Sequence, residues 1–406
     1  MYYTVFYCLI LLFFLMVAFI NKKGSLYKMQ LFYFLFIGIM SAIAIHMNIV
    51  VYQNIRLWPY IYLIICYMIS LKPLEVFHSI HSELNISINF KYLKCFAVLF
   101  IFFSIISCVV FFPQVSTLLE SQDWMENRNF MNENDVIVTH NVSEWIAVNF
   151  STYFRLLAAI IFYLFVTFDK YKWTRKILIF SIVISTFMTA IYGSSRGIIL
   201  NLFLLLIAMF FVFSNWMDKK EKKRLLYFFI VIGTIGLVYA ISVTISRFSE
   251  YTMFGNNGTL GSLIFYYGHS PVIFNNNITE ATNPMYGKYA FGSVLSMFGI
   301  KDTFSVALTG TQWSSWFYTY VGCIYLDWGI LISIFWIGLI SLINIEILSK
   351  KLLNLSSLYA LFFYVAFLQR GALVIGRNFS LEFLAFLLVY FMLLFVEHIK
   401  NSPFVS

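Results

Sequence analysis

The chain has 406 residues, of which 61% are hydrophobic and 11% are charged, and its mean hydropathy is +0.84. A water-soluble domain carries about 25% charged residues, so this composition excludes a soluble globular protein. The formal net charge of +9 is spread over short clusters at the ends of apolar runs, which indicates membrane topology rather than a nucleic-acid-binding surface. The sequence therefore predicts an integral membrane protein without a nucleic-acid partner.

The apolar runs predict helices, because a barrel that spans a membrane is built from short alternating strands instead. We predict an all-α, polytopic membrane protein in which residues 1–406 form a single membrane domain with about eleven transmembrane helices. In chain order, the predicted spans cover residues 3–20, 29–50, 58–71, 95–112, 150–168, 176–191, 198–215, 225–245, 329–349, 352–369 and 380–396.

Basic clusters between the spans predict the orientation of the chain. The clusters lie at residues 22–28, 72–94, 170–176, 219–224 and 350–351, and all of them fall on one side when the spans alternate. Cytoplasmic loops carry an excess of basic residues, so this side is predicted to be the cytoplasm. The N-terminus is then expected outside and the C-terminus inside.

Two segments on the predicted outer side are too long to be simple connectors, namely residues 113–149 and 246–328. The first is acidic. The second is rich in Gly, Asn, Tyr and Phe, a composition suited to packing against sugars and the membrane surface. Within the second segment, aromatic residues at helical spacing predict a helix along the interface over residues 311–327.

Arginine and lysine are divided unequally between the two predicted sides. Lysine accounts for 16 of the 18 basic residues on the cytoplasmic side, whereas arginine accounts for 7 of the 9 on the outer side. Topology explains the lysines but not the choice of arginine outside. A guanidinium binds phosphate oxygens through two parallel hydrogen bonds, which an ammonium cannot do. The outer set consists of Arg56, Arg128, Arg155, Arg196, Arg247, Arg370 and Arg377, with Lys288 and Lys301.

The hairpin turn 191–197 joins two predicted spans and carries Arg196 at its tip. Its glycines are expected to adopt positive φ values, and its serines offer hydroxyl groups. Arg155 lies about two turns inside the fifth predicted span, where a charge is costly unless it meets a polar cavity or partner. The alternatives are that Arg196 extends to the headgroups and that Arg155 pairs with Glu382.

Arg370 and Arg377 flank the short outer link 371–376, and lipid headgroups are their alternative ligands. Together with Arg155 and Arg196, they predict a cage for a diphosphate in the outer leaflet. No nucleoside triphosphate is available outside the membrane, so a reaction there must use energy already carried by its substrate. A sugar on a polyprenyl diphosphate carries this energy, because fixed cations can stabilise the departing diphosphate.

The attacking hydroxyl group requires a base, and His269 is the only histidine in the larger outer segment. A structural role is the alternative for His269. Glu250, Asp302 and Asp327 are rival bases, since a carboxylate can activate an alcohol by its position. The sequence shows neither a metal-ligand spacing that we would defend nor a nucleotide-binding motif, so we predict no cofactor.

Three short motifs match patterns of a known family. The hairpin turn at 193–197 reads GSSRG, residues 316–329 contain WFYTY and YLDWG, and Arg247 is followed after ten residues by Gly258. These motifs resemble the Gly-Ser-Arg-Gly turn, the aromatic-Asp-aromatic-Gly start of a late span and the Arg-x10-Gly pattern of the O-antigen polymerases of the Wzy type. Arg128, in the first outer segment, lacks the corresponding glycine.

The resemblance implies a multi-span, lipid-dependent (GT-C-like) glycosyltransferase in the bacterial inner membrane, with its active site facing the periplasm. It implies transfer of a growing glycan from undecaprenyl diphosphate to the non-reducing-end hydroxyl of an incoming lipid-linked oligosaccharide. The implied partners are this substrate, membrane lipids, a chain-length regulator and a flippase of the same pathway. In this scheme His269, Arg247 and Arg196 are catalytic, and the substrate is bound by Arg128, Arg155, Arg370, Arg377 and Asp327.

The same sequence features are compatible with two other functions. An O-antigen ligase shares this layout, although more histidine is expected in its large outer loop. A flippase for lipid-linked oligosaccharides is the transporter alternative, and it predicts a charge-lined path through the spans.

Overall fold

The protein is described by a computed structural model, which places residues 1–49, 55–81, 88–121, 124, 126–127, 141–248, 258–277, 284–287, 319–350, 352–369 and 379–400. These residues are helical to 89% and contain no strand. Their helices are α1 (Tyr2–Ile20), α2 (Ser25–His46), α3 (Leu57–Ile80), α4 (Phe90–Ser121), α5 (Val142–Tyr153), α6 (Arg155–Thr167), α7 (Lys172–Tyr192), α8 (Arg196–Phe213), α9 (Lys219–Phe248), α10 (Gly258–Asn277), α11 (Tyr320–Leu348), α12 (Leu355–Gln369) and α13 (Phe379–Lys400).

The helices confirm the prediction of an all-α, polytopic membrane protein. Within the described residues, eight helices are long and apolar enough to cross a membrane, or nine if the bent pair α5 and α6 forms one span. Helix α12 is apolar but has only 15 residues. The predicted number of eleven spans therefore stays a prediction.

The chain divides into two compact units, which are described separately. Unit 1 consists of residues 1–85 and 252–406, and unit 2 consists of residues 86–251. Unit 2 is continuous in sequence and holds helices α4 to α9, whereas unit 1 is assembled from both ends of the chain.

Helix α4 of unit 2 is longer than predicted. The sequence predicts that the span ends at residue 112, but the helix continues through Pro113 to Ser121. A proline inside a helix removes one backbone hydrogen bond. The bond lost at Pro113 is the one to the carbonyl oxygen four residues earlier, and the Ser116 and Thr117 side chains donate to the Pro113 carbonyl oxygen at 2.8 and 3.0 Å in the turn that follows. The first long outer segment therefore begins as helix.

A bend of 56° separates α5 from α6 and lies immediately before Arg155. Helix α5 is capped by Asn141, whose Oδ1 accepts the Glu144 backbone N–H at 2.9 Å. Helix α6 forms the centre of unit 2, since residues 157–166 are all buried. The Tyr163 hydroxyl donates to the Leu206 carbonyl oxygen at 2.5 Å and thereby links α6 to α8.

At the predicted cytoplasmic end of unit 2, the buried Arg175 lies between two carboxylates. Its guanidinium contacts Asp169 and Glu221, each at 3.1 Å. A hydrogen bond from Lys172, strengthened by the nearby positive charges, lowers the pKa of the exposed Asp169 carboxyl group. Arg224 also contacts Glu221, at 2.7 Å, but its side chain is 58% exposed. This network holds the start of α9 against the α6–α7 turn.

Helix α10 belongs to the second long outer segment of the sequence, and it packs along α2 in unit 1. Gly268 makes the closest approach, because a β-carbon added there would lie 2.4 Å from the Met40 carbonyl oxygen. The Ser41 hydroxyl donates to the Gly268 carbonyl oxygen at 2.6 Å. Near the end of α10, the Asn275 side chain bonds both the backbone N–H and the carbonyl oxygen of Arg56. Helices α2 and α10 are therefore parallel.

Helix α11 consists of two segments, because Gly329 has a φ of 71° and interrupts it. The second segment runs parallel to α3: the Tyr62 hydroxyl donates to the Ile330 carbonyl oxygen at 3.0 Å, and His81 at the other end bonds the Leu348 carbonyl oxygen at 3.1 Å. In the first segment, residues 320–327 are buried apart from a partly exposed Ile324, rather than lying on an exposed interface as predicted. Residues 311–318 lie outside the described residues.

The Arg175 network generates a stability prediction. We expect Arg175→Ala to lower the free energy of unfolding by about 2–3 kcal/mol, because it leaves the largely buried Glu221 without its buried partner. Arg224→Ala removes an exposed partner of the same carboxylate and is expected to cost roughly 0–1 kcal/mol. Thermal unfolding of the two detergent-purified variants compares these effects, and equal melting temperatures would contradict the prediction.

Candidate functional site

Two backbone hydrogen bonds close the turn between α7 and α8. Backbone N–H groups of Ser194 and Ser195 donate to the Ile191 and Ala190 carbonyl oxygens at 2.9 and 2.8 Å. The expectation that the glycines adopt positive φ is wrong for Gly193, whose φ is −82°. Ser194 adopts the left-handed conformation instead, with a φ of 44°. Its hydroxyl group is held by a neighbouring side chain, which offsets the cost of this conformation for a residue with a β-carbon.

Arg196 begins α8 directly after this turn and is 6% exposed. Its Nη1 donates a hydrogen bond to the Thr244 hydroxyl group on α9. Thr244 is fully buried and itself donates to the Ala240 carbonyl oxygen at 2.6 Å. Arg247 follows Thr244 by three residues, about one helical turn, so this bond joins the start of α8 to the part of α9 that carries Arg247.

The first outer segment is attached to the same turn. The Asn127 side-chain amide donates to the Tyr192 carbonyl oxygen at 2.9 Å and to the Ser194 hydroxyl group at 2.8 Å. Trp124 packs edge-on against Tyr239 of α9, with ring centroids 5.7 Å apart. Arg128 follows Asn127 in the sequence but lies outside the described residues.

Arg155 lies towards the same end of unit 2 as Arg196. Tyr163 and Leu206 are hydrogen-bonded, and Arg155 precedes Tyr163 by eight residues while Arg196 precedes Leu206 by ten. Each arginine therefore lies about two to three helical turns before this bond. The Nε and Nη2 atoms of Arg155 are buried within unit 2.

We name this region the arginine end of unit 2 and define it by Asn127, Arg155, Ser194, Arg196 and Thr244. Guanidinium groups stay protonated when buried, and their attraction for an anion increases as water is excluded. At the opposite end of the unit Arg175 binds two carboxylates, whereas at the arginine end Arg196 donates to the Thr244 hydroxyl group. The arrangement is chemically suited to stabilising negative charge on phosphate oxygens.

His269 and Asp327 belong to unit 1, and both are fully buried. His269 Nδ1 bonds the Phe265 carbonyl oxygen, so the ring proton is assigned to Nδ1 and Nε2 is the acceptor. Helix α10, which carries His269, is not among the described helices that are long and apolar enough to cross a membrane. Burial lowers the pKa of His269 to about 4, so its imidazole is neutral near pH 7. The Asp327 carbonyl oxygen accepts the Tyr286 N–H at 2.8 Å.

The remaining predicted residues are only partly described. The backbone of Arg247 is placed, but its side chain is not. Glu382 lies partly buried in α13 of unit 1. Four further residues lie outside the described part of the chain, namely Arg370, Arg377, Glu250 and Asp302. Thr244 and Asn127 were missed by the sequence analysis, because an isolated threonine or asparagine carries no pattern that distinguishes it from its neighbours.

Family models, curated proteins and solved structures were all compared with this chain, and none of them matches.

The bond between Arg196 and Thr244 generates a prediction about the packing of unit 2. We expect Thr244→Val to lower the free energy of unfolding by about 1.5–3 kcal/mol, because it removes a hydrogen bond from a buried charged group. Thr234→Val is the control, since Thr234 lies exposed on the same helix and bonds only the Ile230 carbonyl oxygen in the preceding turn. Thermal unfolding measures both variants, and a Thr244→Val protein as stable as Thr234→Val would refute the prediction.

The low pKa of His269 predicts a pH-dependent stability. An unfolded histidine titrates near pH 6.5, so the contribution of the neutral, buried ring is complete above this pH and is lost as the pH falls towards 4. We expect the wild type to lose roughly 1 kcal/mol through this group between pH 7.5 and pH 5.5. His269→Gln removes this loss, whereas the exposed control His78→Gln retains it. Melting temperatures at the two pH values test the difference, which should be absent if His269 is not responsible.

Proposed function

We propose that this protein polymerises oligosaccharide repeat units carried on undecaprenyl diphosphate, at the outer face of the bacterial inner membrane. The supporting observation is the hydrogen bond from the buried Arg196 to Thr244, which joins the GSSRG turn to the helix that carries Arg247. Asn127, which precedes Arg128 in the sequence, is hydrogen-bonded to the same turn, and Arg155 lies towards the same end of unit 2. Two arginines of the predicted cage, Arg155 and Arg196, thus lie towards one end of unit 2.

In the proposed reaction, a hydroxyl oxygen of the incoming unit attacks the anomeric carbon of the growing glycan. The new glycosidic bond forms as the bond between that carbon and the diphosphate oxygen breaks, and the diphosphate takes the electron pair. The hydroxyl proton passes to a base. Arg196 and Arg247 stabilise the charge that develops on the diphosphate, and Arg128 and Arg155 support its binding. Arg370 and Arg377 are assigned to the same role by the sequence alone.

His269 is the proposed base, and Asp327 is its rival. The hydrogen bond at Nδ1 leaves Nε2 of His269 as the atom that receives a proton. A pKa near 4 makes this imidazole a weak base at neutral pH but ensures that it is unprotonated before the reaction. Asp327 resembles the acidic residue of the family motif and is buried in unit 1.

A flippase for lipid-linked oligosaccharides is the second candidate, and one observation favours it. The first segment of α11 begins at the level of Ser70 inside unit 1, since the Tyr320 and Ser70 hydroxyl groups are 2.8 Å apart. Helices that begin or break within the membrane are typical of transporter binding sites. Movement of an unchanged lipid-linked unit across the membrane would identify this function.

Reconstitution into proteoliposomes tests the proposed polymerisation directly. The wild type, supplied with undecaprenyl diphosphate-linked repeat units and no nucleotide, is expected to produce a ladder of polymers. Arg196→Ala should slow polymer formation by about 100-fold or more, because it removes one fixed cation from the departing diphosphate. Arg196→Lys should recover only part of this loss, since an ammonium lacks the two-pronged geometry.

Arg224→Ala is the matched control, because Arg224 is an exposed arginine at the other end of unit 2. Its polymer ladder is expected to equal that of the wild type. A normal ladder from Arg196→Ala would reject the assignment of the diphosphate site. The absence of any ladder from an intact wild-type protein would reject the proposed function.

A further inference from the structure

The first segment of α11 is a short helix whose N-terminus lies inside unit 1. Its N-cap is Thr319, whose hydroxyl group accepts the Gly322 backbone N–H at 3.0 Å. Tyr320 is fully buried and bonds the Ser70 hydroxyl group at 2.8 Å. Ser70 precedes Glu75, which pairs with Lys23 at the predicted cytoplasmic end, by five residues or roughly 8 Å. The helix therefore begins within the predicted membrane. Its N-terminal end, which carries a partial positive charge, lies in the interior of unit 1.

Gln30 lies beside this helix end, and its buried amide group is the second observation that points to a ligand. It is fully buried in α2, and neither amide atom has a hydrogen-bond partner among the residues that the structure describes. Gln30 lies one turn before Phe34, whose ring centroid is 6.5 Å from that of Tyr320. Side chains at this spacing share one face of a helix, so the Gln30 amide faces the same interior as Phe34.

The described end of α12 lies at the same place. Gln369 is its last described residue, and its carbonyl oxygen accepts a hydrogen bond from Tyr33, which follows Gln30 by three residues. Gln369 is 3% exposed, and its side-chain Nε2 lacks a hydrogen-bond partner within the described part of the chain. Phe367 of the same helix packs against Tyr320, with ring centroids 5.3 Å apart. Two unsatisfied amides therefore flank one helix N-terminus.

An unsatisfied buried amide costs about 1–3 kcal/mol, so two in one region require an explanation. The described polar side chains around the helix end include five that are uncharged: Gln30, Tyr33, Ser70, Thr319 and Gln369. Amides and hydroxyl groups both donate and accept hydrogen bonds, as sugar hydroxyls require, and aromatic rings pack against the apolar faces of sugars.

We propose that unit 1 contains a binding site within the membrane for an uncharged, hydroxyl-bearing part of the glycan, formed by Gln30, Gln369 and the N-terminus of the first segment of α11. The identity of the ligand as glycan rests on the flippase alternative of the proposed function, because the site lies nearer the predicted cytoplasmic end than the outer face, whereas the location of the site rests on neither function. The site provides the amide groups that bind sugar hydroxyls, and none of the three groups that form it is assigned to the diphosphate.

The test compares Gln30→Leu with the wild type by two readouts on detergent-purified protein. Without ligand, Gln30→Leu is expected to melt at a higher temperature, because leucine has a similar volume and no unsatisfied polar atoms. The wild type should be stabilised by the repeat-unit oligosaccharide released from its lipid, and Gln30→Leu should require at least tenfold more of it for the same shift. Phe32→Leu is the control, since Phe32 is a neighbouring, exposed residue of α2.

A second probe separates this inference from the proposed function. Undecaprenyl diphosphate without sugar should stabilise the wild type and Gln30→Leu equally, and it should fail to stabilise Arg196→Ala. The site in unit 1 is rejected if Gln30→Leu melts lower than the wild type without ligand, or if it responds to the oligosaccharide as the wild type does. It is also rejected if the oligosaccharide leaves the wild type unchanged. Loss of the diphosphate response alone would reject the diphosphate cage and leave the site in unit 1 standing.

Discussion

The structure depends on one constraint, which is that polar groups inside hydrocarbon must find their partners within the protein. The two buried arginines of unit 2 meet this constraint in different ways. Arg175 lies between two carboxylates, whereas Arg196 donates to the Thr244 hydroxyl group. The first arrangement ties α9 to the α6–α7 turn, and the second ties the start of α8 to α9. The tyrosine and serine hydroxyls of unit 1 follow the same constraint, since they bond backbone carbonyls and one another.

Hydrophobicity alone predicted the helical class and the long apolar helices, because a run of apolar residues long enough to cross a membrane has few alternatives to a helix. Helix α10 was not among the predicted spans. The residues at which the helices begin and end were harder to predict. Helix α4 continues past its proline to Ser121, and α11 is divided by the backbone of Gly329 rather than by any loss of hydrophobicity. Such features depend on the backbone conformation of single residues, which hydrophobicity does not reveal.

The sequence could indicate which residue types the arginine end requires but not what holds them in place. The excess of arginine on one predicted side is a property of composition, so it was visible without a structure. Thr244 bonds Arg196 across 48 residues, and Asn127 bonds Tyr192 and Ser194 across 65 and 67 residues. No spacing rule connects residues so far apart. The sequence could not indicate Gln30 either, because only the structure shows that its buried amide group has no hydrogen-bond partner among the described residues.

The discontinuous sequence of unit 1 has a consequence for biosynthesis. Unit 2 is encoded by one uninterrupted stretch, so its helices can associate as soon as they leave the ribosome. Helices α2 and α3 enter the membrane earlier, yet Tyr62 and Tyr33 find their partners 268 and 336 residues later in the chain. During translation these hydroxyls must remain solvated by the insertion machinery or by headgroups. The N-terminal helices are therefore the part of the nascent protein most dependent on assistance from the translocation apparatus.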